Sequence, residues 1–541
     1  MNINISLFKK KIIKFSISII MLLIIGLSTV DNYGISSDEK LEINMVFWNV
    51  NLVTKGEPIP SDLKYYGTLF NFTSAIVFKG KKTLEQIIPL KNNQEENTND
   101  FYERIKLKHK LTFLVSLIAY ISVSGMVGIL AGWEYTWLAP LVLALFPRFW
   151  GHSFFNPKDI PFAAMFTLGT YIGCYLIDYY LKTSKRQVVR LGFNRLTLFS
   201  LFYGILIGLV SGTRIGGCFL LFFVVVTHFF VNFRKNHYRS FLPFISVYIL
   251  ILIAWVITVT VIHPASWSNP LTWLLDTFNY LSQHGWSGDL LFEGKFIPAQ
   301  SLPWYYLPKW IVITTPLIFQ IAFILGLVSI LFKFNKFKDI QLVCILLVLL
   351  QIFFLPLVAI VKQSTIYDGI RQFLFIIPGI AVIVTVSLIW IYQTISNKKI
   401  KLFTFTLIAV LFLQIIFDMI SLHPYEYIYF NRISGGLAKA RNQYETDYWG
   451  LSMREGMEWI NKNASPNTIV VSSSQLDSSR TFATPGITVI SNQQFEQREI
   501  EEPFYYIARP RWNLQEKFPD CPIVYKVVKQ GVPLTIVKKC E

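Results

Sequence analysis

Two adjacent carboxylates, Asp38 and Glu39, follow directly after the first hydrophobic stretch of the sequence. Ionised side chains this close to a hydrocarbon boundary are costly, so they indicate a functional site unless water or a partner accounts for them. A carboxylate there could serve as a general base that takes a proton from an attacking hydroxyl group. Because Ser36 and Glu39 also have the spacing of a capping box, Glu39 could instead cap a surface helix.

More ionisable residues lie where other hydrophobic stretches end. One group is in the segment 146–161, which reads FPRFWGHSFFNPKDIP, and two arginines are in short turns further along the chain. The set consists of Arg148, His152, Lys158, Asp159, Arg214 and Arg371. Fixed cations can stabilise the charge that grows on a departing phosphate, and a carboxylate can accept a proton. Taken one at a time, the cations could simply extend to the membrane surface, and Asp159 could cap a helix.

The composition predicts the class of protein in which these residues act. Of the 541 residues, 53% are hydrophobic and 15% are charged, and the mean hydropathy is +0.45. A soluble core could not bury so much apolar surface, so the sequence predicts a polytopic α-helical membrane protein. The net charge of +17 does not indicate nucleic-acid binding, because the lysines and arginines form short clusters between apolar runs, as in cytoplasmic loops.

The hydropathy pattern predicts about eleven membrane-spanning helices, since most apolar runs are near the ~20 residues that a bilayer requires. These runs are 15–30, 111–131, 135–150, 160–181, 196–212, 215–233, 241–263, 309–332, 340–361, 370–393 and 402–420. We therefore expect a transmembrane domain at 1–420, in which 31–110 is a long extracytoplasmic loop with surface helices. Residues 421–541 are less apolar and are expected to form a separate C-terminal domain.

The basic residues predict how the chain is oriented. With the N-terminus in the cytoplasm, the basic clusters at 182–195, 234–239, 333–338 and 398–401 all fall on the cytoplasmic side of the plasma (inner) membrane. The cluster at 104–110 is an exception, on a long loop where this rule is weaker. The candidate site residues and the C-terminal domain are then expected at the extracytoplasmic face.

The C-terminal domain is expected to be a small α/β fold. The helical spacing of Met453, Met457 and Ile460 predicts a short helix. Three apolar stretches are typical of strands, namely 468–471, 487–490 and 523–525.

Two cysteines in this domain predict a disulfide bond. Cys521 and Cys540 flank a run with a turn signal at Gln530-Gly-Val-Pro533, midway between them. Folding at that turn brings the two cysteines opposite each other, and an extracytoplasmic compartment permits their oxidation. We therefore expect Cys521 and Cys540 to be bonded.

Several short motifs are spread along the chain, namely Asp38-Glu39, Tyr66-Gly67, Arg148-x-x-x-His152, Asn156-Pro-Lys-Asp-Ile-Pro161, His423-Pro-Tyr-Glu-Tyr-Ile-Tyr-Phe-Asn431, Gly435-Gly436 and Tyr444-Glu-Thr-Asp-Tyr-Trp-Gly450. Together they resemble bacterial members of glycosyltransferase family 39, the polyprenyl-phosphate-sugar transferases related to protein O-mannosyltransferases and to the aminoarabinose transferase of lipid A. The resemblance implies the type C glycosyltransferase fold, with an active site at the extracytoplasmic surface. It also implies an inverting transfer of a sugar from a polyprenyl-phosphate donor to a hydroxyl of a protein, lipid or glycan acceptor.

The resemblance further implies roles for individual residues. Asp38 would be the general base with Glu39 beside it, and Asp159 would be a second acidic residue near the donor or a metal ion. The residues expected near the donor phosphate are Arg148, His152, Lys158, Arg214 and Arg371. Asp38, Asp159 and His152 could ligate a divalent metal ion, although no tight ligand spacing supports one.

The same residues are compatible with two other functions. A transporter or lipid flippase would explain the spans and the charges, but it predicts ionisable residues near the bilayer midplane and internal repeats. A polymerase or ligase of lipid-linked glycans would use diphosphate-linked donors. If the chain is a transferase, Asp289 and Glu293 are alternative carboxylates for the base.

Overall fold

In a computed structural model, the described residues are 5–87, 98–183, 188, 194–235, 241–282, 286–498 and 502–541. Helices dominate the membrane part, and strands occur mainly near the C-terminus. The helices are α1 (Ile5–Thr29), α2 (Glu39–Lys55), α3 (Leu69–Ile87), α4 (Thr98–Ala131), α5 (Leu138–Ala144), α6 (Pro147–Phe155), α7 (Asp159–Lys182), α8 (Arg195–Thr213), α9 (Phe219–Arg234), α10 (Ile245–Ile262), α11 (Pro270–Ser282), α12 (Tyr306–Thr314), α13 (Leu317–Lys333), α14 (Asp339–Val361), α15 (Ile376–Thr394), α16 (Lys398–Leu422), α17 (Gly436–Ala440), α18 (Met453–Asn463), α19 (Leu476–Phe482) and α20 (Asn492–Glu496). The strands are β1 (Asp289–Phe292), β2 (Lys295–Pro298), β3 (Ile469–Ser472), β4 (Thr488–Ser491), β5 (Phe504–Ala508), β6 (Ile523–Lys529) and β7 (Val532–Cys540).

The predicted fold class, a polytopic helical membrane protein with a small C-terminal α/β domain, is confirmed. Among the described residues, 10 helices are long and apolar enough to cross a membrane. They are α1, α4, α7, α8, α9, α10, α13, α14, α15 and α16. Large apolar side chains such as Ile257 and Phe417 point outward from the bundle, where only a bilayer can cover them.

The run 135–150, expected as one span, is instead divided between two short helices, α5 and α6. The division falls at Phe146, which is extended (φ −87°, ψ 98°) before Pro147 begins α6. A residue before proline avoids the helical region, which accounts for the break. The pair still crosses the bundle, because Glu134 before α5 contacts Lys11 at the start of α1, whereas α6 packs against residues that follow the last span.

Close helix packing and local caps hold the bundle together. Helix α8 packs along α10, α4 along α7, and α13 along α15. The side chains of Asn194 and Asn397 accept hydrogen bonds from the first backbone N–H groups of α8 and α16. These bonds satisfy donors that a helix start otherwise leaves unpaired.

The loop between α1 and α4 carries two surface helices, α2 and α3, as expected. Helix α2 ends at Lys55, and the next residue, Gly56, caps it with a left-handed φ of +70° that suits glycine. The buried face of α2 carries Glu39, Glu42 and Asn49, whereas the apolar side chain of Phe47 points outward. The helix therefore directs polar side chains inward, where other ionisable residues meet them.

Two glycines allow close backbone approach in this region. A Cβ on Gly67 would lie 2.0 Å from the carbonyl oxygen of Thr213, and a Cβ on Gly34 would lie 2.2 Å from that of Leu451. No other residue fits without moving the backbone. Gly67 thus holds the first loop against the residue before Arg214, and Gly34 holds the chain ahead of Asp38 against the segment that follows α16.

The C-terminal domain contains a five-stranded sheet in the order β4-β3-β5-β7-β6. Strand β3 is parallel to β4 and β5, and β7 is antiparallel to β5 and β6. The predicted helix is α18, whose Met453, Met457 and Ile460 pack on the sheet. The three predicted strands are β3, β4 and β6, whereas β5 and β7 were not foreseen.

The predicted disulfide bond is confirmed. Cys521 and Cys540 are bonded, and their Cα atoms are 4.9 Å apart. Strands β6 and β7 form a hairpin at the expected turn, and Lys529 pairs with Val532 across Gln530. The sequence placed this turn correctly because glycine and proline mark it strongly.

Part of the basic clusters expected in the cytoplasm lies outside the described residues, namely 184–187, 189–193 and 236–240. In the described part, Lys235 pairs with Asp339, and Lys333 lies 4.2 Å from the ring of Trp390. These residues are at the end of the bundle that also holds Lys11. We call it the opposite end, and we call the end that holds Asp38 the site end.

Candidate functional site

Asp38 is in the turn between α1 and α2, at the site end of the bundle. Its Oδ2 accepts a hydrogen bond from Arg371 Nη1 at 3.0 Å, and its side chain is 30% exposed. Burial acts to raise the pKa of Asp38, but the positive charges of Arg371, Lys158 and Arg214 hold the pKa below its usual value. Asp38 is therefore an ionised carboxylate that solvent can reach.

Asp159, at the start of α7, is buried next to Asp38. Arg214 Nη2 donates to its Oδ1, and Arg371 Nη1 lies 3.9 Å from its Oδ2. Asn156 fixes the carboxylate, since its Nδ2 donates to Asp159 Oδ2 at 2.9 Å and its Oδ1 accepts from the Asp159 N–H at 2.9 Å. Arg371 thus bridges two carboxylates, and we call Asp38, Asp159, Arg214 and Arg371 the carboxylate–arginine cluster.

Lys158 adds a third cation beside this cluster. Its Nζ lies 3.5 Å from Glu42 Oε1 and 3.6 Å from the centre of the Tyr66 ring. The buried carboxylate of Glu42 also accepts a hydrogen bond from Asn71 Nδ2 at 2.5 Å. Sequence analysis did not single out Glu42, although it follows Glu39 by three residues and so shares its side of α2.

Glu39 is completely buried and lies beside the cluster. Its Oε2 accepts a hydrogen bond from the Ser36 N–H at 2.7 Å, and its Oε1 lies 2.7 Å from His109 Nε2. The first contact is one half of the predicted capping box. These contacts favour a structural role for Glu39 over a catalytic one.

Two further residues of the site were not foreseen. Asp368 Oδ2 lies 3.2 Å from Arg371 Nε, and Asp368 Oδ1 accepts a hydrogen bond from Arg511 Nη2 at 2.7 Å. Arg511 belongs to the C-terminal domain and lies just after β5. Asp368 is three residues before Arg371 in the predicted turn, a signal that could have been used, but nothing in the sequence connects either residue to Arg511.

Arg148 lies on α6 and is almost completely buried. Its guanidinium group is 5.0 Å from the ring centres of both Trp310 and Phe430, and its Nε donates to the Tyr429 carbonyl oxygen at 3.1 Å. This arrangement of a cation between two aromatic rings is stabilising without a carboxylate. The expected contact of Arg148 with a donor phosphate stays a prediction.

His152, one turn further along α6, is buried as well. Its Nε2 lies 3.1 Å from the hydroxyl of Tyr448, and its Nδ1 lies 3.3 Å from Asn156 Nδ2. Since Asn156 also holds Asp159, His152 supports the cluster through Asn156. Its expected proximity to a donor phosphate is likewise untested.

The alternative carboxylates lie on the hairpin formed by β1 and β2. Glu293 Oε1 is 3.3 Å from Lys309 Nζ, and its Oε2 accepts a hydrogen bond from Tyr305 at 3.1 Å. Asp289 uses its backbone oxygen to accept from Trp512 Nε1 at 3.0 Å. Both side chains are at the exposed hairpin, so Asp38 remains the better candidate for a base.

The residues suggested for a divalent metal do not fit such a site. Asp159 is occupied by Arg214 and Asn156, and the ring nitrogens of His152 face Tyr448 and Asn156. In the part of the chain that the structure describes, no group of three histidine, cysteine, aspartate or glutamate side chains could hold a metal ion. Arginines beside both carboxylates supply the positive charge that a metal would otherwise provide.

No family model and no curated protein matches this sequence. Among solved structures, the chain is similar to ArnT from Cupriavidus metallidurans bound to undecaprenyl phosphate, with a TM-score of 0.49 and 11% identity. The match covers 98% of this chain and 97% of that one.

A second similar structure is the oligosaccharyltransferase AglB from Archaeoglobus fulgidus in complex with an inhibitory peptide and a dolichol-phosphate. Its TM-score is 0.48 at 12% identity, over 89% of this chain and 65% of AglB. Both proteins have the type C glycosyltransferase fold, which is also the fold that the resemblance to glycosyltransferase family 39 implies.

Proposed function

We propose that this chain is a membrane glycosyltransferase of the type C fold, which moves a sugar from a polyprenyl-phosphate donor to an acceptor hydroxyl. The observation that carries this proposal is the setting of Asp38, an accessible ionised carboxylate beside Arg371, Arg214 and Lys158 at one end of a membrane bundle. A base and fixed cations in one place are what transfer from a lipid phosphate requires.

In the proposed reaction, Asp38 accepts the proton of the acceptor hydroxyl, and the hydroxyl oxygen attacks the anomeric carbon of the sugar. The bond between that carbon and the donor phosphate oxygen breaks with inversion, and the phosphate keeps the bonding electrons. Arg371 holds one oxygen of Asp38 at 3.0 Å, which leaves the other oxygen available for the acceptor. A lowered pKa keeps Asp38 ionised at neutral pH.

Arg214 and Lys158 are proposed to stabilise the departing phosphate. The Arg214 side chain is 23% exposed, and although it contacts Asp159 through Nη2, a guanidinium group has five N–H donors and can serve a second anion. Lys158 is a more compact cation held by Glu42. The two positive charges would balance the negative charge that grows on the phosphate in the transition state.

The decisive experiment is to incubate membranes that contain the protein with a panel of polyprenyl-phosphate sugars and to follow the loss of each donor. We expect one donor to be consumed with release of polyprenyl phosphate, and much slower consumption by membranes that carry Asp38→Asn. Turnover of diphosphate-linked donors alone would instead indicate a polymerase or ligase. Movement of a lipid-linked substrate across the bilayer without turnover would indicate a transporter.

The site end is proposed to face the extracytoplasmic side of the plasma membrane, because basic residues such as Lys235, Lys333 and Lys401 are at the opposite end. A single cysteine introduced at Gln493, in the C-terminal domain, should then react with an impermeant thiol reagent added to intact cells. One introduced at Lys336 should react only after permeabilisation. The reverse pattern would invert the orientation.

A further inference from the structure

A continuous row of alternating charges connects the C-terminal domain to Asp38. Glu445 Oε2 lies 3.7 Å from Arg511 Nε, and Arg511 Nη2 donates to Asp368 at 2.7 Å. Asp368 in turn lies 3.2 Å from Arg371 Nε, and Arg371 Nη1 donates to Asp38 at 3.0 Å. Of the five described residues in this row, Asp38 alone is readily reached by solvent, since the other four are almost completely buried.

Asp368 is the middle member of the row, and two arginines share its carboxylate. Its backbone is left-handed (φ +57°), and so is that of the following Gly369 (φ +70°). Two successive residues in this region make a tight bend, which aspartate and glycine tolerate best. The bend directs the Asp368 carboxylate between Arg371 and Arg511.

Without Arg511, the buried carboxylate of Asp368 would have Arg371 as its only cation among the contacts described. A buried carboxylate that loses one partner binds the remaining one more tightly, because an unpaired charge is very costly there. Arg371 could then turn both of its outer N–H groups toward Asp368 and leave Asp38. Arg511 therefore competes with Arg371 for Asp368, and this leaves Arg371 free to bind Asp38.

We propose that Arg511, carried by the C-terminal domain, is a positioning residue of the site: by binding Asp368, it keeps Arg371 directed at Asp38. The C-terminal domain thereby controls the protonation of the proposed general base without touching it. This inference deepens the proposed function and, for its consequence in catalysis, rests on it. Its structural content, the effect of Arg511 on Asp38, does not depend on any transfer activity.

The expected effect on Asp38 has a definite sign. Arg371, Arg214 and Lys158 face Asp38 with positive charge and lower its pKa, whereas burial raises it. Tyr66 and Tyr367 also lie close enough to feel the charge of Asp38, and Asp159 shares Arg371 with it. When Arg371 turns away, the largest lowering contribution weakens, so the pKa of Asp38 should rise.

The test is to measure the protonation of Asp38 directly in the purified full-length protein. A water-soluble carbodiimide with an amine modifies protonated carboxyl groups, and peptide mass spectrometry quantifies the modification of Asp38 as a function of pH. We call the pH at which the modification of Asp38 is half-maximal the Asp38 midpoint. Arg511→Gln should move the Asp38 midpoint to higher pH. A midpoint about one pH unit higher should raise the labelling rate at neutral pH tenfold. The pH below which the transfer rate falls should rise together with the Asp38 midpoint.

A double variant separates positioning from a simple loss of positive charge. Asp368→Asn removes the carboxylate for which Arg371 would leave, so the Asp38 midpoint of Arg511→Gln/Asp368→Asn should return to that of Asp368→Asn alone. If charge acts only at long range, the change of midpoint caused by Arg511→Gln will instead persist in the double variant. That additive result, or an unchanged midpoint in Arg511→Gln, would overturn the proposal.

Arg480→Gln is the matched control. Arg480 is in the same domain, but its Nε donates to the Val489 carbonyl oxygen at 3.1 Å, within the domain. Its loss should leave the Asp38 midpoint in place, and a change equal to that of Arg511→Gln would overturn the proposal as well.

If Arg511→Gln does not fold, Arg511→Met carries the test. Its unbranched, uncharged side chain has no N–H group to donate to Asp368, as Arg511 does. The Asp38 midpoint should again move to higher pH, and an unchanged midpoint overturns the proposal. Absence of transfer in the wild-type protein would refute the proposed function alone, because the labelling midpoints are measured without a donor.

Discussion

The two ends of the helical bundle use the same charged side chains in different ways. At the site end, the side chains of Asp159, Arg371 and Asp368 are at most 5% exposed, and each contacts oppositely charged partners on other segments. At the opposite end, Lys11 lies 3.3 Å from Glu134, but these side chains are 39% and 50% exposed. The difference is in burial, not in the kind of residue.

Burial changes what an ion pair does. An exposed pair is surrounded by water and mobile ions, so it contributes little to stability and does not fix geometry. A buried pair must be satisfied, and removing one partner leaves a charge with no solvent. The site end therefore holds its carboxylates and cations in fixed positions, as catalysis by preorganised charges requires.

The largest expected effect is on Asp38, the accessible carboxylate of the site end. Asp38→Asn keeps the shape of the side chain and removes the proton acceptor, so the transfer rate should fall by roughly 10²- to 10⁴-fold. Glu39→Gln should retain most activity, since glutamine can still accept from the Ser36 N–H. Rates of donor consumption by purified protein test both changes, and near-normal transfer by Asp38→Asn would reject Asp38 as the base.

The next effect concerns the stability of the buried cluster. Asp159→Asn leaves Arg214 without its carboxylate partner and weakens the anchoring of Arg371, so we expect a loss of roughly 3–5 kcal/mol in the free energy of unfolding. Unfolding by a denaturing detergent in mixed micelles measures this loss. The variant Asp159→Asn/Arg214→Gln should recover part of it, whereas equal losses in both variants would show that the pair does not act as a unit.

The smallest effect is expected at the opposite end. Lys235→Ala removes the ion pair with Asp339, whose side chains are 40% and 46% exposed, and should change the free energy of unfolding by less than about 1 kcal/mol. Transfer should be unaffected. A loss as large as that of Asp159→Asn, measured in the same way, would remove the contrast between the two ends.

The sequence predicted most features that depend on neighbouring residues. Hydropathy located the spans because a bilayer imposes a minimum length of apolar chain. The turn at Gln530 and the Cys521–Cys540 bond were predicted correctly because turn residues act locally. The same kind of signal, Pro147, could have revealed the break within 135–150, but the apolar character of that run concealed it.

Within the site, sequence alone selected Asp38, Asp159, Lys158, Arg214 and Arg371, which the fold brings together. It did not distinguish these residues from Arg148, which lies on α6 beside aromatic rings, or from His152, which supports the cluster through Asn156. The type and spacing of a residue predict what chemistry it can perform. They do not tell whether its side chain faces a carboxylate, a ring or solvent, since that depends on the packing of several helices.

The sequence by itself determined that the chain crosses a membrane, where it turns, and which ionisable residues lie near the ends of its spans. Only the tertiary structure decided which of those residues meet. Asp368 and Arg511 are 143 residues apart, and no local pattern relates them. They pair because docking of the C-terminal domain buries both charges together, and a buried charge is stable only beside an opposite one.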